Sequence, residues 1–180
     1  MSRHFGPTRQ LGLVVRDFDA TLKAWTEVHG AGPFFIFRDT PVQDYLYRGQ
    51  VSEAPVLSIA FGYSGDLQIE IIHQQNDAPS IYTEFLASGR EGLHHVSSFL
   101  DVQAYDAVYA GALERGLTSV HQGSIGGVRF AYFDSEDTPG ATVQEISESG
   151  IAEVAALYQT LQDASSAWDG TDPVRPLQIA

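Results

Sequence analysis

Four side chains spread along this 180-residue sequence could together hold one divalent cation: Gln10, Glu70, His95 and Glu145. They offer an amide oxygen, an imidazole nitrogen and two carboxylates. Two carboxylates neutralise a doubly charged ion, and the mixed oxygen and nitrogen set suits Mn, Co, Ni, Fe(II), Zn or Mg rather than a soft ion. The chain has no cysteine, which excludes thiolate sites and disulfides. Each of the four also has an ordinary alternative. A glutamine near a strand start and a glutamate near a strand end are commonly surface residues. The glutamate of "QIEII" suits a half-exposed sheet, and a histidine in an apolar strand suits a hydrogen-bonded core position.

Strand parity and a repeated order of elements bring the four together. In "RQLGLVV", Leu11, Leu13 and Val15 form an apolar face, leaving Gln10, Gly12 and Val14 on the other. In "DLQIEII", Leu67, Ile69 and Ile71 oppose Gln68, Glu70 and Ile72. "DFDATLKAWTEVHG" reads as a helix with Asp17 as N-cap and Phe18, Leu22, Trp25 and Val28 on one face. "PFFIFRDT", "DYLYRGQV" and "VLSIAFGYSGDLQIEIIHQ" read as strands, with a hairpin turn at "SGD". After a connector with a short helix the order restarts. "GLHHVSSFLD" is a strand, "VQAYDAVYAGALERG" a helix with Tyr105, Val108 and Leu113 on one side, and "TSVHQGSI", "VRFAYFD" and "ATVQEIS" are strands. The offset of about 85 residues indicates an internal duplication.

Within "GLHHVSSF", adjacent strand residues point to opposite faces, so His94 and His95 are not expected to act as a unit. Gln10 lies seven residues before Asp17, and His95 seven before Val102 at the second helix start. That equates His95 with Gln10 and sends His94 to the outer, helix-covered face. In the last strand the parity of Glu145 is less clean, because Thr142 and Gln144 would share a face with Ile146. Two such modules pack most simply as sheets joined into one curved surface with helices outside. The expected divisions are a first module over 1–78, a connector over 79–91, a second module over 92–150, and a C-terminal amphipathic helix with an extended tail over 151–180. Ile151, Val154, Leu157 and Leu161 share one face of that helix.

Composition narrows the partners. Ten Lys+Arg against 23 Asp+Glu give a net charge of −13, which repels nucleic acid and anionic lipid. No run of 18 apolar residues suggests a membrane span. "MSRHFGPTRQ" lacks an apolar signal region, so a cytoplasmic location is the simplest expectation.

The segments "RQLGLVVRDFDATLKAW", "QIEII", "GLHHVSSF" and "ATVQEIS" resemble the vicinal oxygen chelate superfamily, over about residues 8 to 150. This superfamily includes glyoxalase I, methylmalonyl-CoA epimerase, extradiol dioxygenases and bleomycin-resistance proteins. "VVRDFDATLKAW" and "GREGLHHVS" carry the most specific similarity, closest to glyoxalase- and epimerase-like members. The resemblance implies an α+β fold: two paired βαβββ modules form a cup-like mixed sheet with helices outside, followed by the C-terminal helix. It also implies a divalent metal held by one residue from the first and last strand of each module, which selects Gln10, Glu70, His95 and Glu145. Gln10 departs from the histidine usual in the family and is a weaker, neutral ligand.

The chemistry implied is chelation of two neighbouring substrate oxygens and removal of a proton next to a carbonyl, with the enediolate stabilised by the cation. Glu145 and Glu70 are the candidate bases of such an isomerase, epimerase or lyase. Tyr45, Tyr47 and Arg48 are candidates for substrate contact, with β-sheet packing the alternative for the tyrosines. A dioxygenase fits less well, since non-haem iron sites use two histidines and a carboxylate. His73 and His121 match no ligand position and are expected at the surface. A metal-free, drug-sequestering protein is the competing class, its cup lined from the ten Phe, eight Tyr and two Trp. The expected partner is a small molecule, and the resemblance suggests a homodimer. The scarcity of cations argues against a CoA thioester unless Arg38, Arg48, Arg90 or Arg129 form a patch.

Overall fold

The alternation of the first strand sets the architecture. The computed structural model describes residues 2–134 and 143–177. In β1 (Gln10–Val14), Leu11 and Leu13 face a helix, α1 (Phe18–Lys23), while Val14 faces the opposite core. Asp17 caps α1, its side chain accepting from the Ala20 N–H. The helix then widens into a π turn over Ala24–Val28. That widening rotates the apolar stripe, so Val28, expected on the inward face, stands 79% exposed.

The strands β2 (Phe34–Pro41), β3 (Gln43–Tyr47), β4 (Gln50–Val51), β5 (Val56–Ser64) and β6 (Leu67–Gln74) follow. A short helix, α2 (Ile81–Ala87), is closed by a capping box between Ser80 and Thr83. The second half is β7 (Gly92–Phe99), α3 (Val102–Glu114), β8 (Thr118–Ile125), β9 (Val128–Asp134) and β10 (Val143–Ser147). Ala141 and Thr142, expected at the start of β10, lie outside the described residues. Tyr105, Val108 and Ala112 form the inward stripe of α3, and Leu113 falls beside it, half exposed. The chain ends with α4 (Ala152–Ser166) and a short strand, β11 (Val174–Pro176), where the sequence suggested an extended tail.

The described strands join one mixed, curved sheet in the order β11-β2-β5-β6-β1-β7-β10-β9-β8-β3-β4. The halves meet within one chain, where β1 pairs antiparallel with β7. On the outer face, α1 covers Ile69, Ile71 and Ala60, and α3 covers Ala131, Phe133 and Ile146. The inner face carries the largest core, built from Ile59, Phe61, Ile72, Phe130 and Tyr132 with α2 and α4 laid against it. The first half also lends the second an edge. β3 pairs with β8 of the second half, although β2 ends only two positions earlier in the sequence, at the other end of the sheet. The sheet therefore curls far enough for the chain to step from one end to the other. Among the described residues, no helix is long and apolar enough to cross a membrane.

Candidate metal centre

The seam between β1 and β7 repeats one relation twice. Gln10 lies opposite Ser97, and Gly12 opposite His95. The parallel neighbour β6 places Glu70 beside Gly12, and the parallel neighbour β10 places Glu145 beside Ser97. Each half thus sends one side chain from its first strand and one from its last strand to the same point on the inner face. Parity in β10 resolves in favour of Glu145, because Ile146 packs outward under α3 while Val143 joins the inner core.

The side chains converge. His95 is 0% exposed, and its Nε2 lies 3.3 Å from Glu70 Oε2 and 3.5 Å from Glu145 Oε2. The three donor atoms lie within 4.8 Å of one another. Gln10 lines the same cavity as both carboxylates. Its Nε2–H donates to Gln68 Oε1 at 2.7 Å, and the Gln68 amide donates to Tyr63 at 2.8 Å. That relay leaves Gln10 Oε1 as the free end. Gln10 Oε1, Glu70 Oε2, His95 Nε2 and Glu145 Oε2 are all buried without a hydrogen-bond partner. Orphaned buried polar atoms are costly unless a further group satisfies them.

Electrostatics agree with that reading. Burial pushes the Glu70 carboxyl above its ordinary range, with His95 opposing. For His95, burial works against the charged form, yet the Glu145 and Glu70 carboxylates outweigh it and raise the pKa to about 9. The cluster therefore attracts positive charge. Three donors within 4.8 Å of one another, two of them carboxylates, fit a divalent cation, and Gln10 lines the cavity beside them.

One backbone position makes room for this. A Cβ on Gly12 would lie 1.8 Å from Cε1 of His95, so the imidazole occupies the space a side chain would need. Above the cluster sits a cavity of about 140 Å³. Its walls are largely apolar, with Phe37, Phe61 and Phe130 from strands and Val154, Leu157 and Tyr158 from α4. No Lys or Arg is among its described lining residues.

Several expectations need correction. His94 does not sit on the outer face. The pairing passes from Gly12–His95 to Leu13–Leu93, so His94 is the extra residue of a β-bulge. The bulge turns both rings inward, with the two Nδ1 atoms 3.1 Å apart. His121, expected at the surface, is 0% exposed. It stacks among Tyr45, Tyr82, Phe130 and Tyr132, with Tyr45 Oη 3.2 Å from its Nδ1. His73 is partly buried, its Nδ1 3.1 Å from the Val15 carbonyl. Burial lowers the pKa of His94 to about 2 and of His121 to about 3, so both rings are neutral.

Tyr45, Tyr47 and Arg48 do not line the cavity. Tyr45 donates to the Pro79 carbonyl at 2.8 Å from within the core. Tyr47 donates to Glu84 of α2, and Arg48 pairs with the same carboxylate at 3.0 Å. Arg38, Arg90 and Arg129 are likewise engaged elsewhere, with Asp19, Ser88 and the Asp106–Glu148 pair. Gly12, Gln68 and α4 carry parts of the site that sequence reasoning did not assign. A glycine inside an alternating strand was the signal available for Gly12.

The family model of the glyoxalase/bleomycin resistance protein/dioxygenase superfamily matches residues 9–132. The chain belongs to this superfamily. Solved structures share its fold. A hypothetical protein from Bacillus halodurans C-125 is 16% identical with a TM-score of 0.55, the match covering 78% of this chain and 92% of that one. Methylmalonyl-CoA epimerase from Mycobacterium tuberculosis is 13% identical with a TM-score of 0.56, covering 82% and 91%. No curated protein matches the chain. The curved open mixed sheet is the superfamily fold, and the seam cluster stands at the centre of its inner face.

Proposed function

We propose that this superfamily member is a metal-dependent isomerase, epimerase or lyase acting on a small oxygenated molecule. The observation that carries this reading is the convergence of Glu70, His95 and Glu145 donor atoms within 4.8 Å, beneath an apolar cavity that Gln10, Glu70 and Glu145 line, with Gln10 Oε1, Glu70 Oε2, His95 Nε2 and Glu145 Oε2 all buried and without hydrogen-bond partners. These four residues would hold the cation. Once bound, it would supply Lewis acidity toward two adjacent substrate oxygens.

The chain's own residues supply the rest. Glu145 or Glu70 takes the proton from the carbon next to the carbonyl and can return it. Burial favours that role at Glu70, because a raised pKa makes its carboxylate a better base. His95, pinned over Gly12, holds the imidazole between the two carboxylates. The phenylalanines of the strands and the apolar face of α4 hold the substrate body and keep water from the reacting carbon. With no Lys or Arg among the described lining, the cavity suits a largely apolar, uncharged body.

A second reading draws on the same walls. The cavity lining and the α4 cover would also serve a metal-free binding protein for a hydrophobic molecule. Metal analysis of untagged protein, beside His95→Ala, separates the two. The enzyme reading expects about one equivalent of a divalent metal, lost in the variant. It also expects metal-dependent deuterium uptake next to the carbonyl in a panel of 2-oxo acids, 2-hydroxy acids, thioesters and lactones. Absence of metal after incubation with Mn, Co, Ni, Fe(II) and Zn overturns it in favour of the binding protein.

A further inference from the structure

The bulge in β7 places His94 where a strand residue would not otherwise stand. Leu93 pairs with Leu13 and His95 with Gly12, so the single unpaired residue between them turns to the inner face beside its neighbour. The contact it makes there is specific. His94 Nδ1 lies 3.1 Å from His95 Nδ1, the ring atom of His95 that points away from the carboxylates. The His94 ring has little freedom to leave. It meets Phe85 edge-on with centroids 4.9 Å apart, Tyr82 at 5.6 Å and Tyr132 at 6.4 Å.

Two imidazole nitrogens at that distance form a hydrogen bond only if one carries the hydrogen and the other a lone pair. If His95 offered its lone pair at Nδ1, its hydrogen would sit on Nε2, and Nε2 could not present a lone pair to the Glu70–Glu145 cluster. The reverse assignment leaves Nε2 free to ligate. We propose that His94 is a positioning residue: its Nδ1 accepts the Nδ1–H of His95, fixing the hydrogen of that ring and turning Nε2 toward Glu70 and Glu145. His94 itself then carries its hydrogen on Nε2. This role rests on the metal-dependent reading above for its purpose, and on the bulge and the nitrogen contact for its geometry.

The partner of a ligating histidine normally fixes its tautomer and orientation, and losing that partner costs about 10–100-fold in metal affinity. Two variants separate the hydrogen bond from the packing. Both His94→Leu and His94→Asn remove the ring from between Tyr82, Phe85 and Tyr132. Only asparagine returns an acceptor oxygen near the former Nδ1.

The experiment is long-range ¹H–¹⁵N NMR of the histidine rings in chelator-treated protein, followed by titration with Zn(II) against a chromophoric chelator. The expected spectrum shows His94 as the Nε2–H form and His95 with hydrogen on Nδ1, together with a hydrogen on Nε2 that metal-free protein carries between the two carboxylates and Zn(II) displaces. Leucine should shift the His95 Nδ1 resonance away from its hydrogen-bonded position and weaken Zn(II) binding by about 10–100-fold. Asparagine should keep the resonance and hold affinity within about threefold of wild type. A His94 ring carrying its hydrogen on Nδ1, or equal effects of the two variants, overturns the proposal. If wild type shows the expected tautomers yet takes up no Zn(II), the hydrogen-bond assignment stands and the metal-dependent reading falls.

Discussion

The two halves present the same relation at the seam with different residues. In the first, the inward donor is a neutral amide, Gln10, aimed by Gln68 and through it by Tyr63. In the second it is an imidazole, His95, with His94 behind it. The positions across the seam differ to match. His95 faces Gly12, which has no Cβ to obstruct the ring, whereas Gln10 faces Ser97, whose side chain is accommodated. The duplicated scaffold fixes where a donor points, and each half makes room for the donor it carries. An aromatic ring demands that space close to the backbone, and a flexible amide stem does not.

The sharpest way to break this comparison is to fill the space at Gly12. Gly12→Ala puts a methyl into the volume of the His95 ring. The expected outcome is loss of metal uptake, measured by elemental analysis, with a stability loss of about 1–3 kcal/mol in denaturant unfolding. Metal uptake equal to wild type would show that the ring can move without cost to the site.

The next effect concerns acid. The second half holds two buried neutral histidines, His94 and His121, with pKa values of about 2 and about 3. An unfolded histidine titrates near 6.5. Below that pH the unfolded chain binds protons the folded chain does not, so stability falls as pH drops from about 6.5 toward 3. Each such group contributes up to about 1.4 kcal/mol per pH unit in that window. His121→Phe should therefore flatten the decline in melting temperature between pH 7 and pH 5. An unchanged slope would locate acid sensitivity elsewhere.

A smaller effect tests the amide side. Gln68→Leu removes the acceptor that turns Gln10, and metal affinity should fall about tenfold in a chelator competition. The smallest concerns Ser97. Its hydroxyl is buried without a partner, so Ser97→Ala should change stability by no more than about 1 kcal/mol by thermal or denaturant unfolding. A large loss there, comparable to that of Gly12→Ala, would contradict the asymmetry of the seam.

Much of this was legible in the sequence where a single period governs. Leu11, Leu13, Ile69 and Ile71 alternate cleanly, and their parity alone puts Gln10 and Glu70 inward. His95 was reached by a count that set Asp17 against Val102, whereas the two N-caps are Asp17 and Asp101, seven residues after Gln10 and six after His95, so the spacing between repeats was not by itself decisive. His94 was misplaced because a bulge breaks the two-residue period, and no residue in "GLHHVSSF" announces one. Val28 was misplaced for a related reason, since the π turn changes the helical period. His121 reads as polar in "TSVHQGSI", but its burial depends on aromatic neighbours from three other segments, which local pattern does not reveal. The side of the sheet taken by α2 and α4 was likewise set by tertiary packing, and with it the walls of the cavity.

The lent edge has a consequence for the chain as an inherited object. Strand β3, encoded with the first half, covers β8 of the second, and β11, encoded last, covers β2. Neither half owns both of its borders. A fragment spanning residues 92–150 would present the bare backbone of β8 to any passing strand and invite self-association. The second half thus takes its edge cover from a strand of the first, and the first half takes its own from a strand that follows both.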